Sequence, residues 1–281
     1  IEGARKAVDE GKAKFDSRQA WLYDTVQEYD HVRNKALAEG RTIHFGDVMT
    51  LCKLKHAELD EQYQRYKGRI VFRGDNIKDE TGTLAVFSEQ GTSASHLAVA
   101  KFLDAIARMP GMNGGDADAT GAYTQNLLQG HETWVRLPRY WWPAHWEDKY
   151  KNPVIRLRLS LYGHPLAGLY WGQHCHKALT KCGFTKVKGW ECLYRRPDKG
   201  FFLSVYVDDF KLAGKKEHIS PMWKTLQGLL DLDPPTRFDG GAYLGCGRYD
   251  IPNQPKLVQG RQELMQPILD RHGNKTADES K

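Results

Sequence analysis

Residues 201–213 read Phe-Phe-Leu-Ser-Val-Tyr-Val-Asp-Asp-Phe-Lys-Leu-Ala, and this stretch decides the fold. From Phe201 to Val207 the side chains alternate in facing, as a half-buried strand requires. Phe210 then opens a second apolar run after only two residues. Two β-prone runs that close together predict an antiparallel hairpin with Asp208-Asp209 as its loop. Neighbouring carboxylates on a hairpin tip repel each other, and a bound divalent cation is the natural counter-charge. Taken alone, the dipeptide also suits an ordinary solvated turn, where Asp is common.

A third carboxylate would turn this tip into a metal site. Upstream, Gly114-Gly115 lead into Asp116-Ala117-Asp118, at the expected junction of a short strand and a helix. Brought to the tip, Asp118 would complete a set of hard oxygen ligands for two cations, the arrangement that activates a hydroxyl and stabilises a leaving pyrophosphate. Asp116 falls on the same face of a strand, so periodicity admits either residue.

The surrounding pattern is mixed. Arg69–Arg73 forms a short β-prone run closed by Gly74-Asp75, and residues 95–109 read as a helix stopped by Pro110-Gly111. Pro165 and Gly183 frame a second helix, with Leu166, Ala167, Tyr170, Trp171, Cys175, Ala178, Leu179 and Cys182 on one face. Strands are expected near Cys192–Arg195 and over Phe210–Ala213, a helix over residues 220–231, and a strand or hairpin over Tyr243–Ile251. Strands and helices do not alternate regularly, which predicts an α+β fold: an antiparallel sheet with helices on one face. Residues 1–66 are densely charged and read as a helical N-terminal segment that Gly40 divides into two helices. The aromatic run from Trp134 to Trp146 offers rings for stacking on bases, and packing within the protein is the stronger expectation.

Bulk composition narrows the class. Forty-one Lys and Arg against 35 Asp and Glu leave a net charge of +6, a mild basic excess that fits a polyanion-binding protein as well as many enzymes. Five cysteines, odd in number and without a C-x-x-C pair, argue against a disulfide framework and for reduced thiols inside the cell. His174-Cys175-His176 lacks the paired spacing of structural zinc sites. No stretch approaches the roughly 20 apolar residues of a membrane-spanning helix, and no basic-then-apolar leader opens the chain.

Six segments, in order, carry a family resemblance. Lys67-Gly68-Arg69-Ile70-Val71-Phe72-Arg73-Gly74 resembles the K-A-R-L-V-A-K/R-G of copia-type reverse transcriptases. Asp118-Ala119-Thr120-Gly121-Ala122-Tyr123 resembles their D-x-x-x-A-F/Y. Ser160-Leu161-Tyr162-Gly163 matches S-L-Y-G, Tyr206-Val207-Asp208-Asp209 matches Y-V-D-D, and Tyr243-Leu244-Gly245 resembles F-L-G. Leu257-Val258-Gln259, expected to precede a polar helix, resembles L-S-Q. After the S-L-Y-G segment the family has L-K-Q-A, whereas this chain has the shorter His164-Pro165-Leu166-Ala167. Before Asp118 it has a Gly-rich run in place of an apolar strand.

The resemblance implies a right-hand polymerase fold with fingers and palm. Its expected organisation is a helical segment over 1–66, fingers and palm over 67–250, and the start of a thumb or connection over 251–281, with a polar tail. It implies RNA-directed DNA synthesis on an RNA template from a DNA or RNA primer. Two Mg²⁺ ions, or Mn²⁺ in their place, would be held by Asp118, Asp208 and Asp209, with the Ala119 carbonyl as a further ligand. It also chooses Asp118 over Asp116, because only then does Tyr123 fall at the family's aromatic gate against a ribose 2′-hydroxyl. Lys67, Arg69 and Arg73 would reach the incoming dNTP, since guanidinium groups suit phosphate oxygens. Tyr162, Gly163 and Tyr206 are motif positions, and Tyr243 and Gly245 would lie near the primer grip. The domain would belong to a polyprotein with integrase and RNase H elsewhere, acting in the cytoplasm within particles and reaching the nucleus. Two other classes stay open: a decayed nucleic-acid-binding remnant of the same domain, and a different two-metal enzyme on a similar palm, such as a nucleotidyl cyclase.

Overall fold

A charged sequence needs partners to become a strand, and for residues 21–28 those partners lie more than a hundred residues downstream. In the computed structural model, which describes residues 2–87, 97–237, 242–243, 246–250 and 257–261, helix α1 (Glu2–Ser17) is followed by β1 (Trp21–Glu28), α2 (Tyr29–Glu39), β2 (Ile43–Lys55), β3 (Arg65–Phe72) and β4 (Lys78–Asp79). Next come α3 (Leu97–Ala107), β5 (Met112–Asp118), β6 (Glu132–Arg136), the short α4 (Ala144–Glu147), β7 (Pro153–Leu157) and α5 (Ala167–Lys181). The remainder holds β8 (Thr185–Val187), β9 (Trp190–Arg196), β10 (Phe201–Tyr206), β11 (Asp209–Lys215), α6 (Lys216–Gln227) and β12 (Thr236–Arg237). A small antiparallel sheet of β13 (Ala242–Tyr243), β14 (Cys246–Asp250) and β15 (Leu257–Arg261) completes the described strands.

The chain folds as two compact units that interleave in sequence: residues 1–92 with 123–174, and residues 93–122 with 175–281. In the first, one sheet runs β1-β7-β6-β2-β3, with β4 also on β2. The β2–β6 pair is parallel and the other pairs are antiparallel. The wholly helical reading of residues 1–66 is therefore corrected: only α1 and α2 are helices of any length there. Trp21 pairs with Leu157, and Val48 with Phe72. Burying Trp21, Val48, Ile70, Phe72 and Ile155 in one core outweighs a local, charge-rich preference for helix. Gly40 does end a helix. It caps α2 at φ +61°, its N–H donating to the Ala36 and Leu37 carbonyls.

The second unit is built on an all-antiparallel sheet, β12-β5-β11-β10-β9-β8. The predicted hairpin, both framed helices and the antiparallel sheet are present, so the α+β class holds. Helices on one face only do not. Helix α3 packs Val99, Leu103 and Ile106 against Ala213 and Leu193, while Trp223 of α6 lies against Gly115, whose strand position faces the opposite way. The two middle strands are apolar on both faces apart from a few charges, and a sheet of that kind needs two covers.

Candidate active site

The tip of the β10–β11 hairpin is one residue out of the expected register. Tyr206 pairs with Asp209, so the two loop residues are Val207 and Asp208, and Asp209 opens β11. Held between Tyr206 and Asp118, Asp209 gains backbone partners on both sides that a loop position lacks. Val207 carries the turn at φ +53°, a left-handed conformation that a β-branched residue adopts at a cost of about 1–3 kcal/mol.

Asp118 is placed by three backbone contacts from two directions. Across the sheet it faces Asp209, and the next residue, Ala119, donates its N–H to the Asp208 carbonyl at 2.7 Å. On the other side the Asp233 N–H donates to the Asp118 carbonyl at 2.8 Å, and the Thr120 N–H to the Asp231 carbonyl at 2.9 Å. The Thr120 hydroxyl closes this side by donating to the Asp233 carboxylate at 2.7 Å. Asp231 and Asp233 were not singled out from sequence, where Asp-Leu-Asp-Pro-Pro resembles any polar turn. The Gly-rich approach to Asp118 is a regular strand, β5. A Cβ at Gly115 would sit 3.1 Å from the Trp223 indole nitrogen and 3.0 Å from the Thr236 carbonyl, so glycine lets α6 and β12 close on it.

Electrostatics separates the two candidate aspartates that periodicity left equal. Asp118 is exposed at the tip. Asp116 is buried two residues below it, where the Lys211 ammonium donates to its carboxylate at 3.2 Å and sits 2.5 Å from Asp104 of α3. At the tip, among the described residues, the charged groups acting on the Asp209 carboxyl are other carboxylates. Burial pushes the Asp209 carboxyl up to about 7, helped by the charges of Asp208 and Asp118, by a hydrogen bond with the Asp118 carboxyl, and by Asp116. Thus the Asp209 carboxyl meets that of Asp118 through a hydrogen bond, with Asp208 exposed beside them. A closed three-carboxylate pocket was expected. Among the described residues no three His, Cys, Asp or Glu side chains form a ready-made metal cluster. The donor set nevertheless suits a hard divalent ion by its chemistry: all-oxygen, acidic, and crowded enough to hold a proton where a cation would serve.

The remaining sequence-derived residues belong to the first unit, apart from Tyr206, Tyr243 and Gly245. Lys67 and Arg69 are exposed on β3. Arg73 forks onto Asp75 at 2.8 and 3.3 Å, so its guanidinium is engaged. The Tyr123 and Tyr162 rings lie 5.9 Å apart, and the Phe72 N–H donates to the Tyr162 carbonyl at 2.8 Å. Each residue of Ser160–Gly163 has a local reason. Ser160 is buried and accepts from the Asn126 amide at 3.0 Å, Leu161 is in the core, and Tyr162 is exposed. Gly163 sits at φ +93° against the Phe72 carbonyl, where a side chain would clash. His164 is buried against Phe72 and Phe87, takes the Leu166 N–H on Nδ1, and is lowered to about 4 by burial. Tyr206 is partly exposed, Tyr243 is on β13, and Gly245, the residues after Arg261 and the start of the helix at 95–96 lie outside the described residues.

Two further expectations resolve toward packing. Trp134, Trp141 and Trp146 of the aromatic run are buried, with Trp141 against Trp21 and Trp146 against Tyr23. Cys175 is buried, its thiol pushed up to about 12 by that burial, which leaves no thiolate for zinc near neutral pH.

A carboxylate-tipped hairpin in an antiparallel sheet, faced by a third acid from the neighbouring strand, defines the class as a palm of the nucleotidyltransferase kind. A model of the reverse transcriptase (RNA-dependent DNA polymerase) family matches residues 40–245, well over half of the chain, and the chain belongs to that family. The match begins upstream of Lys67 and so takes in β2, the strand paired with β3. Among solved structures, a telomerase from Candida albicans in complex with a fragment of telomeric RNA is similar at 8% identity and a TM-score of 0.41, over 85% of this chain and 48% of that one. The chain spans about half the length of that structure.

Proposed function

We propose that this chain is the fingers-and-palm region of a copia-type retrotransposon reverse transcriptase, adding dNTPs to a primer 3′-hydroxyl on an RNA template. The observation that carries the reading is the rung on which Asp118 of β5 faces Asp209 of β11, beside Asp208. Asp118, Asp208 and Asp209 would hold two Mg²⁺ ions, or Mn²⁺, with the Ala119 carbonyl as a further ligand. When bound, the ions supply charge neutralisation for the attacking hydroxyl and the leaving pyrophosphate. The protein's own part is positioning. Asp209, whose carboxyl is raised by burial, gives up its proton before it can serve as a ligand. Lys67 and Arg69 hold triphosphate oxygens, and Arg73 joins them on leaving Asp75. Tyr123 excludes the 2′-hydroxyl, and Tyr162 packs on it to hold that ring. Tyr243 and Gly245 steady the primer. Template and primer bind mainly through phosphates, so affinity falls with salt. Integrase and RNase H are the expected polyprotein companions, and the work is done inside the cell.

One observation favours a second reading, a decayed remnant that binds nucleic acid without extending it. His164 replaces the family's polar segment and is turned into the core, so no amide is offered there for nucleotide positioning. Primer extension on an RNA template with Mg²⁺ separates the two. Extension that Asp208→Asn abolishes supports the polymerase. Salt-sensitive binding of primer–template with no extension by the wild type supports the remnant.

A further inference from the structure

We infer that a cavity in the first unit, walled by His44, Phe87 and His164 and rimmed by Gln129, His131 and Gln173, is a binding pocket for an uncharged nucleobase. None of the residues assigned above to metal, triphosphate or primer lines it, so the inference stands apart from the metal-site reading.

The sheet sets the pocket's position. His44 lies on β2 beside β6, the loop carrying Gln129 and His131 leads into β6, and His164 sits in the turn that opens α5. The Tyr170 hydroxyl of α5 donates to the Gln129 carbonyl at 3.1 Å and pins that rim. The space measures about 360 Å³, within the range of about 300–1,000 Å³ that small-molecule sites occupy. Polar groups are built into its floor. His44 and His164 are only 7% and 6% exposed. The Leu166 N–H donates to His164 Nδ1 at 3.2 Å, so the neutral ring carries its proton on Nε2, and that N–H makes no hydrogen bond among the described residues. The His44 ring likewise makes none. Burial lowers both rings, His164 to about 4, and both stand neutral near pH 7. His44 therefore offers one donor and one acceptor, and His164 one donor. A buried group left without a hydrogen bond is a standing cost that a bound partner recovers.

The lining selects the ligand by elimination. Among the described residues around the cavity there is no Lys, Arg, Asp or Glu, so an anion meets no counter-charge and a cation no carboxylate. The three imidazoles do not gather into a metal cluster. A purely apolar ligand would leave the ring nitrogens unpaired. The walls are flat. Phe87 stands edge-on to His44 at 5.4 Å and to His164 at 5.7 Å, and His131 edge-on to His44 at 4.9 Å. At the rim the Gln129 and Gln173 amides each carry a donor and an acceptor in one plane, the pattern that pairs with a base edge. An uncharged planar ring with donors and acceptors along its edge meets every one of these demands, and a nucleobase is such a ring.

The test uses the full chain in metal-free buffer, where a nucleoside, lacking phosphates, has no hold on the carboxylate tip. Adenosine, guanosine, cytidine and uridine are titrated in turn, with calorimetry for affinity and imidazole NMR resonances for location. Saturable binding that shifts the His44 and His164 resonances is expected. His164→Phe keeps a flat ring and loses the N–H, and should weaken binding roughly tenfold; Gln173→Ala, at the exposed rim, should weaken it several-fold. Near-UV circular dichroism checks each fold, and if His164→Phe does not fold, Gln173→Ala carries the test. A single-stranded oligonucleotide, compared with the same sugar-phosphate strand lacking bases, identifies the source. Nucleoside binding supports a free ligand, and a base-dependent gain in strand affinity that these substitutions diminish supports an unpaired base of a strand. Absence of both overturns the inference and leaves the polymerase reading standing. Binding that is unchanged in the folded variants overturns it as well.

Discussion

Two rungs on one face of the β5–β11 ladder, two residues apart, hold the same kinds of groups in opposite states. The inner rung sets Asp116 opposite Lys211, adds Asp104 and seals the three from water. The outer rung sets Asp118 opposite Asp209, whose carboxyl is raised by burial and by the neighbouring carboxylates. A protein that can pair a buried lysine with two carboxylates two residues away has the means to place a cation at the tip. The contrast teaches where the chain leaves charge for something else to balance. It also marks the outer rung as the candidate site on charge alone, apart from any motif.

The largest effect should come from cutting the outer rung. Asp118→Asn or Asp208→Asn is expected to lower primer extension by about a thousandfold, the scale seen when charge stabilisation is lost from a transition state. The thermal midpoint should hold or rise, since a repelling carboxylate is gone. Retained activity in both variants, measured as single-turnover extension, would end the comparison. The inner rung should respond the other way. Lys211→Met leaves Asp104 and Asp116 buried without their cation and should cost about 3–5 kcal/mol of stability. Urea unfolding measures it, and a loss below about 1 kcal/mol would mean that water reaches those carboxylates after all.

How much of this was readable beforehand depends on the distance over which each feature is decided. The hairpin at 201–213, α3 and α5 follow from patterns within a dozen residues, and they were legible. Strands β1 and β2 were read as helix because Trp21 becomes a strand residue only by pairing with Leu157. The interleaved units were hidden for the same reason: residues 123–174 join 1–92 through sheet pairing that no local pattern announces. The site itself was half legible. Alternation put Asp116 and Asp118 on one face and could go no further, and the family resemblance preferred Asp118. The physical difference is Lys211, nearly a hundred residues downstream, which claims Asp116 and leaves Asp118 at the tip. The hairpin loop was misplaced by one residue because Asp-Asp is a better turn sequence than Val-Asp, and only pairing to β5 draws Asp209 into the strand.

A smaller effect sharpens the comparison through pH. Asp209 has a folded-state value near 7, above the ordinary carboxylate value of 3.8. Between those two values the folded chain therefore holds a proton that the unfolded chain releases, and stability falls as pH rises through this window. In metal-free buffer the loss from pH 5 to pH 8 should be on the order of 1–2 kcal/mol, after screening by the water that reaches this half-buried group. Asp209→Asn should flatten that slope, and saturating Mg²⁺ should do the same in the wild type, because the cation takes over the proton's role. A slope that survives both changes would assign the titration to other groups.

The smallest effect concerns the turn between the rungs' strands. Val207 holds a left-handed conformation that glycine adopts freely, so Val207→Gly removes strain while adding freedom to the unfolded chain. The first term is the larger for a β-branched residue, and a net gain of about 1 kcal/mol is expected. Activity should move in the opposite direction. The stiff Val207 fixes where Asp208 leaves the hairpin, and a glycine there lets that carboxylate wander from the Asp118–Asp209 pair, lowering extension several-fold with little change in KM for the dNTP. A variant that is both more stable and fully active would show that the strained turn is incidental to the outer rung, whose geometry would then be held by β5 alone.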